Sequence, residues 1–257
     1  MKTLWALVAI FAGLSIGLDF RRASFEGKNF TVIAVVPRED SVRQFLSDST
    51  SPPLRGFGAL RERVGADFEI PFAMNAGMYQ PDFSPVGLFI EHGRILRAVN
   101  LDSGVGNFFL KPNGVFLIEH GKPQVIDAMN FPKRNGTPEL ALQSGPMLVF
   151  SDTIHPRFDT VSRHRALRNG VGVKGDTAFF AISDSMVTLF ETARFFRDVL
   201  GCPNALYLDG TISSLYAPGL ARCDSTKELG TLIGVLRRRP GLPLIPKSPV
   251  LGGVPRP

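Results

Sequence analysis

Hydrophobic positions fall into three regimes along the chain. Residues 4–18 are almost unbroken apolar, residues 25–236 alternate or run in short blocks, and from Arg237 onward apolar residues are scattered among prolines. In the middle regime Thr31-Val32-Ile33-Ala34-Val35-Val36 is β-rich and stops at Pro37, as a strand does. Residues 39–48 and 54–64 read as short helices around the Ser51-Pro52-Pro53 break. Strand patterns then dominate from about Ile70 to Phe150. Within them Leu88-Phe89-Ile90-Glu91-His92-Gly93 echoes Phe116-Leu117-Ile118-Glu119-His120-Gly121. Both read as hairpins in which Gly supplies the positive φ of the turn, so His92 and His120 are turn residues rather than ligands. Residues 102–107 read as a tight turn leading into a strand at Phe108-Phe109-Leu110.

Residues 171–216 are the most informative. Ala178-Phe179-Phe180-Ala181-Ile182 has the continuous apolar character of a strand buried on both faces, and Ser183-Asp184-Ser185 ends it. Thr188 and Glu191 have capping-box spacing, and Leu189, Ala193, Phe196 and Leu200 follow a helical period until Gly201 and Pro203. Ala205-Leu206-Tyr207-Leu208 is a second buried strand, closed by Asp209-Gly210. The pattern predicts a β–α–β unit with parallel strands and a right-handed crossover. The fold class expected is α+β or mixed α/β: one β-rich domain with mixed sheets, hairpins and at least one right-handed βαβ unit in its C-terminal half. Asp184 and Asp209 then emerge at the same sheet edge, where open α/β sheets place ligands. Two carboxylates there can divide acid and base work. Each is also an ordinary turn former, and the pair could hold a divalent cation, although two carboxylates are a weak metal signature. No other cofactor is expected. His155 and His164 lack partners at zinc spacing.

The formal charge of +6 changes meaning once it is located. All 23 acids lie in residues 19–236 with 23 bases, and the surplus is Lys2, Arg237, Arg238, Arg239, Lys247 and Arg256. The body is neutral, which argues against a nucleic-acid partner. One cation followed by a short apolar run has the form of a secretory signal over residues 1–18, with an uncleaved membrane anchor as the competing reading. A periplasmic or secreted location follows, with membrane contact only through that segment if it is retained. The domain proper is expected over residues 25–236, followed by a basic, proline-rich, disordered tail over 237–257. Two cysteines in an exported chain, Cys202 and Cys223, read as one disulfide.

Small and polar residues gather at other strand ends. Asn75-Ala76-Gly77 follows one, Ser144-Gly145-Pro146 interrupts another, and Arg168-Asn169-Gly170 precedes a third. Small residues let a backbone approach a ligand, and Arg168 offers bidentate recognition of phosphate or carboxylate.

These residues carry a resemblance. Asn75-Ala76-Gly77-Met78-Tyr79, Pro85-Val86-Gly87-Leu88, residues 107–114, Gln143-Ser144-Gly145-Pro146-Met147-Leu148, residues 168–173, and residues 205–210 with Ser213-Ser214 occur in the order found in phosphodiester glycosidases. The chain resembles that family, to which the lysosomal uncovering enzyme's domain belongs, and within it the bacterial exported branch. It departs at Thr211-Ile212, where the family pattern has two glycines, which adds bulk over the expected pocket. The resemblance implies hydrolysis of a sugar-1-phosphate diester, or phosphoglycan, of the envelope or extracellular space. Asp209 and Asp184 would be the carboxylates and Arg168 the phosphate cation. Asn75, Gly77, Lys111, Asn113, Ser144, Gly145, Asn169, Gly210, Ser213 and Ser214 would hold substrate. The alternative is a non-catalytic polysaccharide-binding module, with a groove lined by exposed aromatics.

Overall fold

The alternating pattern resolves into strands. The described residues of this computed structural model are 18–46, 54–210, 212–224 and 227–241. They run β1 (Asp19–Phe25), β2 (Lys28–Val35), β3 (Ser41–Phe45), α1 (Phe57–Val64), β4 (Phe68–Asn75), β5 (Phe89–Glu91), β6 (Arg94–Arg97), β7 (Gly114–Glu119), β8 (Lys122–Asp127), β9 (Leu140–Ser144), β10 (Met147–Phe150) and β11 (Thr153–Ile154). Then come β12 (Asn169–Lys174), β13 (Thr177–Ser183), α2 (Leu189–Arg194), β14 (Asn204–Asp209), β15 (Leu215–Ala217), β16 (Arg222–Cys223) and β17 (Leu232–Arg238).

Three sheets form, ordered β1-β2-β13-β12-β14-β10-β11, β16-β15-β4-β17-β3 and β6-β5-β9-β7-β8. Every pairing between these strands is antiparallel. The first sheet is buried on both faces, which is why its strands read as continuous apolar runs. One face sets Ile33, Val171, Phe180 and Leu206 against Phe72 and Met74 of the second sheet and Phe116 and Leu142 of the third. Phe180 lies 5.2 Å from Phe72 and 5.6 Å from Phe116, ring centre to ring centre. Burying each of these rings stabilises the fold by about 1.5–3 kcal/mol. The other face packs Phe30, Val32, Ala181 and Ala205 under Phe195 and Phe196. Gly172 allows that close approach, since a Cβ there would lie 2.7 Å from Cys202 Sγ.

Local signals act as written. Thr188 Oγ1 accepts from Glu191 N at 3.1 Å and Glu191 Oε2 accepts from Thr188 N at 2.8 Å, so the capping box starts α2. The helix continues through a π turn over Phe195–Val199, and Gly201 ends it at φ +66°. His92-Gly93 and His120-Gly121 both have two consecutive positive φ values, 52° and 71°, then 51° and 69°. That is the two-residue turn whose twist matches the flanking strands.

Several expectations are corrected. β13 and β14 do run in the same direction, but β12 lies between them and is antiparallel to both, and with every named pairing antiparallel the expected mixed sheets do not form. In residues 41–45 the alternation of Val42 and Gln44 inward with Ser41, Arg43 and Phe45 outward gives β3 instead of a helix. Residues 107–109 form a 3-10 turn in place of a strand, with Phe108 buried beside it. Cys202 is buried under α2 while Cys223 is exposed on β16, and both thiols are free, so the expected disulfide is not formed. Burial pushes the Cys202 thiol up to about 12, which leaves it protonated and unreactive. Leu18 and β1 belong to the packed body, and Arg237 and Arg238 are the last residues of β17 rather than the start of a tail. The signal or anchor reading falls on residues 1–17, and the rest of the tail on residues 242–257, both outside the described residues. Among the described residues no helix is long and apolar enough to cross a membrane.

The second and third sheets are stitched at one seam. Gln44 Nε2 donates to Ile90 O at 2.8 Å and Ala141 O at 3.0 Å, and Gln44 N donates to Glu91 Oε2 at 3.0 Å. Burial raises Glu91 from 4.5 to about 7, against the Gln44 N–H and the charge of Arg43, which lower it. His92 faces the same carboxylate at 3.5 Å. The folded state therefore binds the proton more tightly than the unfolded chain, and stability falls as pH rises between those two values. The thermal midpoint of the wild type should decrease from about pH 5 to about pH 8, and Glu91→Gln should flatten that slope in melts across the same range.

Candidate functional site

Polar ends of three buried strands meet at one point: Asn75 closing β4, Asn169 opening β12 and Asp209 closing β14. The register requires it, since Asn169 stands opposite both Ile182 and Asp209. Asn169 is fully buried, and its side chain is the joint. Its Nδ2 donates to Asn75 O at 2.9 Å and Asn75 Oδ1 at 3.0 Å, while its Oδ1 accepts from Asp209 N at 2.9 Å. Asn75 Oδ1 also accepts from Ser214 N at 2.8 Å. Ser213 Oγ lies 3.0 Å from Asp209 O and 3.3 Å from both Asn169 Oδ1 and Leu167 O, one hydroxyl donor among three acceptors. Asn75 Nδ2, by contrast, is a buried donor without a partner among the described residues.

Arg168 packs beside this joint, 7 % exposed, with its guanidinium 5.5 Å from the centre of the Tyr207 ring. Nε donates to Val187 O at 2.9 Å, one Nη donates to the Tyr207 hydroxyl at 2.9 Å, and the other donates to His164 O at 3.0 Å. Three of its five N–H groups are thus spent internally, and two remain. Asn107 also hydrogen-bonds the Tyr207 hydroxyl, whose pKa burial pushes up to about 12 against the nearby Arg168 charge. Gly210 has to be glycine here, because a Cβ would sit 2.2 Å from the Tyr207 hydroxyl and 3.4 Å from Arg168.

The Asp209 carboxylate sits where burial raises its proton affinity. The backbone N–H groups of Gly210, at 2.5 Å, and of Ile212, together with the charge of Arg168, pull the other way. The result is a carboxylate held above its ordinary range next to a cation with unspent donors. The Tyr79 hydroxyl feels the Asp209 charge, which adds to burial in raising its pKa, and it donates to Glu228 O at 3.0 Å.

Asn75, Arg168, Asn169, Asp209, Gly210, Ser213 and Ser214 thus come together. Gly77 is adjacent: Thr231 Oγ1 donates to its carbonyl at 2.8 Å, and a Cβ on it would meet Gln143 O at 2.8 Å. Ser144 is a buried strut that donates to Leu208 O at 3.0 Å. Lys111 Nζ is turned to Leu101 O. Asn113 Nδ2 donates to Phe108 O at 2.9 Å, and Gly145 fits against Asn113, where a Cβ would lie 2.6 Å from the asparagine's own. Lys111, Asn113 and Gly145 therefore brace the 3-10 turn, one step removed, through Asn107, from Tyr207.

Asp184 is not brought to the cluster. Its carboxylate accepts from Thr31 Oγ1 at 2.9 Å and from Arg222 at 2.5 Å, on the β2 side of β13. Among the described residues no three His, Cys, Asp or Glu side chains gather as a metal site. Ile212 packs beside the α1 cluster of Leu54, Phe57 and Leu60, and Thr211 lies outside the described residues. Tyr79, Asn107, Tyr207 and Thr231 were missed.

A family model described as phosphodiester glycosidase matches residues 68–236, which contain the whole cluster. The chain is 33% identical over 205 residues to the uncharacterized protein YigE of Escherichia coli K12, across 79% of this chain and 80% of that protein. Its fold is similar to the zebrafish N-acetylglucosamine-1-phosphodiester α-N-acetylglucosaminidase catalytic domain auto-inhibited by its pro-peptide. The TM-score is 0.59 at 14% identity, covering 85% of this chain and 82% of that one.

Because Asn169 serves three segments at once, Asn169→Ala takes from the buried Asp209 N–H its acceptor and from the Asn75 carbonyl its Nδ2 donor, while Asn75 Oδ1 keeps only Ser214 N. It should destabilise the protein by about 2–3 kcal/mol in urea unfolding. Asp209→Asn, which leaves the joint intact, should cost far less in the same measurement.

Proposed function

The chain belongs to the phosphodiester glycosidase family, and on that premise we propose that it hydrolyses a sugar-1-phosphate diester at the glycosidic C1–O bond. The observation that carries this reading is the Asp209 carboxylate, held above its ordinary pKa by burial beside Arg168. Asp209 takes a proton from the attacking water, whose oxygen bonds to C1 as the C1–O bond breaks and the electron pair leaves with the phosphate oxygen. A phosphate monoester is a good leaving group, so charge stabilisation replaces much of a general acid's work. The two unspent N–H groups of Arg168 and the free Nδ2 of Asn75 are the donors placed to supply it. Asp184, turned toward Arg222, is not assigned to the bond-breaking step. The apolar run after Lys2 supports export, and hence an envelope or extracellular phosphoglycan as substrate.

The non-catalytic glycan-binding alternative calls for a groove of exposed aromatics. Among the large exposed hydrophobics of the described residues only Phe68 and Phe150 are aromatic, and they sit on different sheets. The enzymatic reading is therefore preferred.

Release of reducing sugar from an N-acetylglucosamine 1-phosphodiester, and from a panel of other sugar-1-phosphate diesters, tests the reading. Asp209→Asn should lower turnover by about 10²–10⁴-fold, the usual worth of a general base, whereas Asp184→Asn should lose far less. Wild-type turnover by the Asp209→Asn protein would sink the assignment. The base must be ionised to act. The acid limb of kcat/KM should therefore lie above the ordinary carboxylate range, with activity rising with pH through it.

A further inference from the structure

Along the same sheet edge a concavity opens beyond Asp184. Its volume is about 490 Å³; Arg22, Ser24, Asn29, Thr31, Asp184 and Arg222 supply its polar lining, and Ala23, Phe30 and Leu220 an apolar wall. That volume is within the range of small-molecule sites. Its floor is rigid. Arg222 of the second sheet bonds Asp184 of the first at 2.5 Å and Asp224 at 2.9 Å, and Asp224 accepts from Leu215 N at 2.9 Å. Thr31 Oγ1 completes the clamp at 2.9 Å from Asp184. The two carboxylates consume Arg222. Arg22 is different: it points outward from β1 and has no side-chain hydrogen bond or ion pair among the described residues. The concavity thus pairs fixed hydroxyl, amide and carboxylate groups, of the kind that meet sugar hydroxyls, with one unspent guanidinium.

Its position relative to Asp209 gives it a use. Asp184 and Asp209 end strands that are two places apart in the sheet, with β12 between them. Asp209 is level with Ile182, so Asp184 lies two strand spacings across and two residues along from it, about 12 Å by backbone. A single sugar phosphate seated at Asp209 would not fill both places, but a chain of them would.

We infer that this concavity is a second subsite that takes the neighbouring sugar of a polymeric phosphoglycan, with Arg22 on that unit's phosphate. The inference rests on reading the Asp209 cluster as the site of glycosyl phosphodiester hydrolysis. It makes the preferred substrate a polymer, cut beside an adjacent anionic repeat.

The test is equilibrium binding to the full chain carrying Asp209→Asn, which should not turn its ligand over. Three probes are compared: a monomeric N-acetylglucosamine 1-phosphodiester, a dimer with two phosphodiesters, and the same dimer with its second phosphate replaced by a neutral linkage. The doubly charged dimer should bind about tenfold more tightly than the other two, the worth of one charge-assisted hydrogen bond. Arg22→Glu should remove that preference. Arg61→Glu, an equal charge change on α1, should keep it, which separates a local contact from bulk charge. Equal binding of the three probes, or a preference that survives Arg22→Glu, overturns the inference. Turnover of the monomeric diester by the wild type is measured in parallel. Its absence would strike the hydrolase reading, while an Arg22-dependent preference would still establish the subsite.

Discussion

The buried carboxamide of Asn169 is the interaction on which the rest of the site depends. It lies at the first residue of β12, the strand that separates β13 from β14, and it reaches Asn75 across to the second sheet. A polar group taken out of water must have its partners or pay their full desolvation cost. Here the partners are the Asp209 N–H, the Asn75 carbonyl and the Asn75 side-chain oxygen, so satisfying Asn169 sets where two strand ends lie relative to a third. The direction of the Asp209 carboxylate then follows from its own backbone and from the Gly210 N–H. Asp209 is thus held twice, through its own N–H by Asn169 and through its carboxylate by Gly210.

The same logic applies to Arg168. A guanidinium that is 7 % exposed would be costly if its donors were free. Three acceptors, two of them backbone carbonyls, hold it in one rotamer over the Tyr207 ring. This leaves a cation that cannot swing away and whose remaining donors are oriented in advance. Such preorganisation is worth more to a developing phosphate charge than a mobile surface arginine would be.

Much of this was legible in the sequence where the cause is local. The two His-Gly turns, the capping box at Thr188 and the doubly buried strands β13 and β14 each depend on a few consecutive residues, and they form as read. Asn75, Arg168, Asn169 and Asp209 were recognisable because polar residues interrupt apolar strands there. What failed depends on which strand lies beside which. Asp184 does end a strand at the expected edge, but β12 inserts between it and Asp209, and β2 lies on its other side with Thr31 waiting. No periodicity reports a neighbour 153 residues away in sequence. Ile212 likewise looked like bulk over the expected pocket, because its loop was read without α1 and the apolar cluster that receives it.

Charge shows how a local reading and a global one combine. A body of 23 acids and 23 bases has no net field to draw an anion from a distance. Several surface cations are also engaged: Arg165 with Glu191, Arg194 with Glu26 and Asp198, Arg222 with Asp184 and Asp224. Exposed pairs of this kind add little stability, and their effect here is to cancel charge. On the proposed reading, discrimination for phosphate rests on where a few donors are held, the remaining N–H groups of Arg168 first among them. A protein built this way gains contact specificity without long-range steering. If the proposed function holds, binding of a phosphoglycan should depend on where the phosphates sit along the chain more than on how many there are.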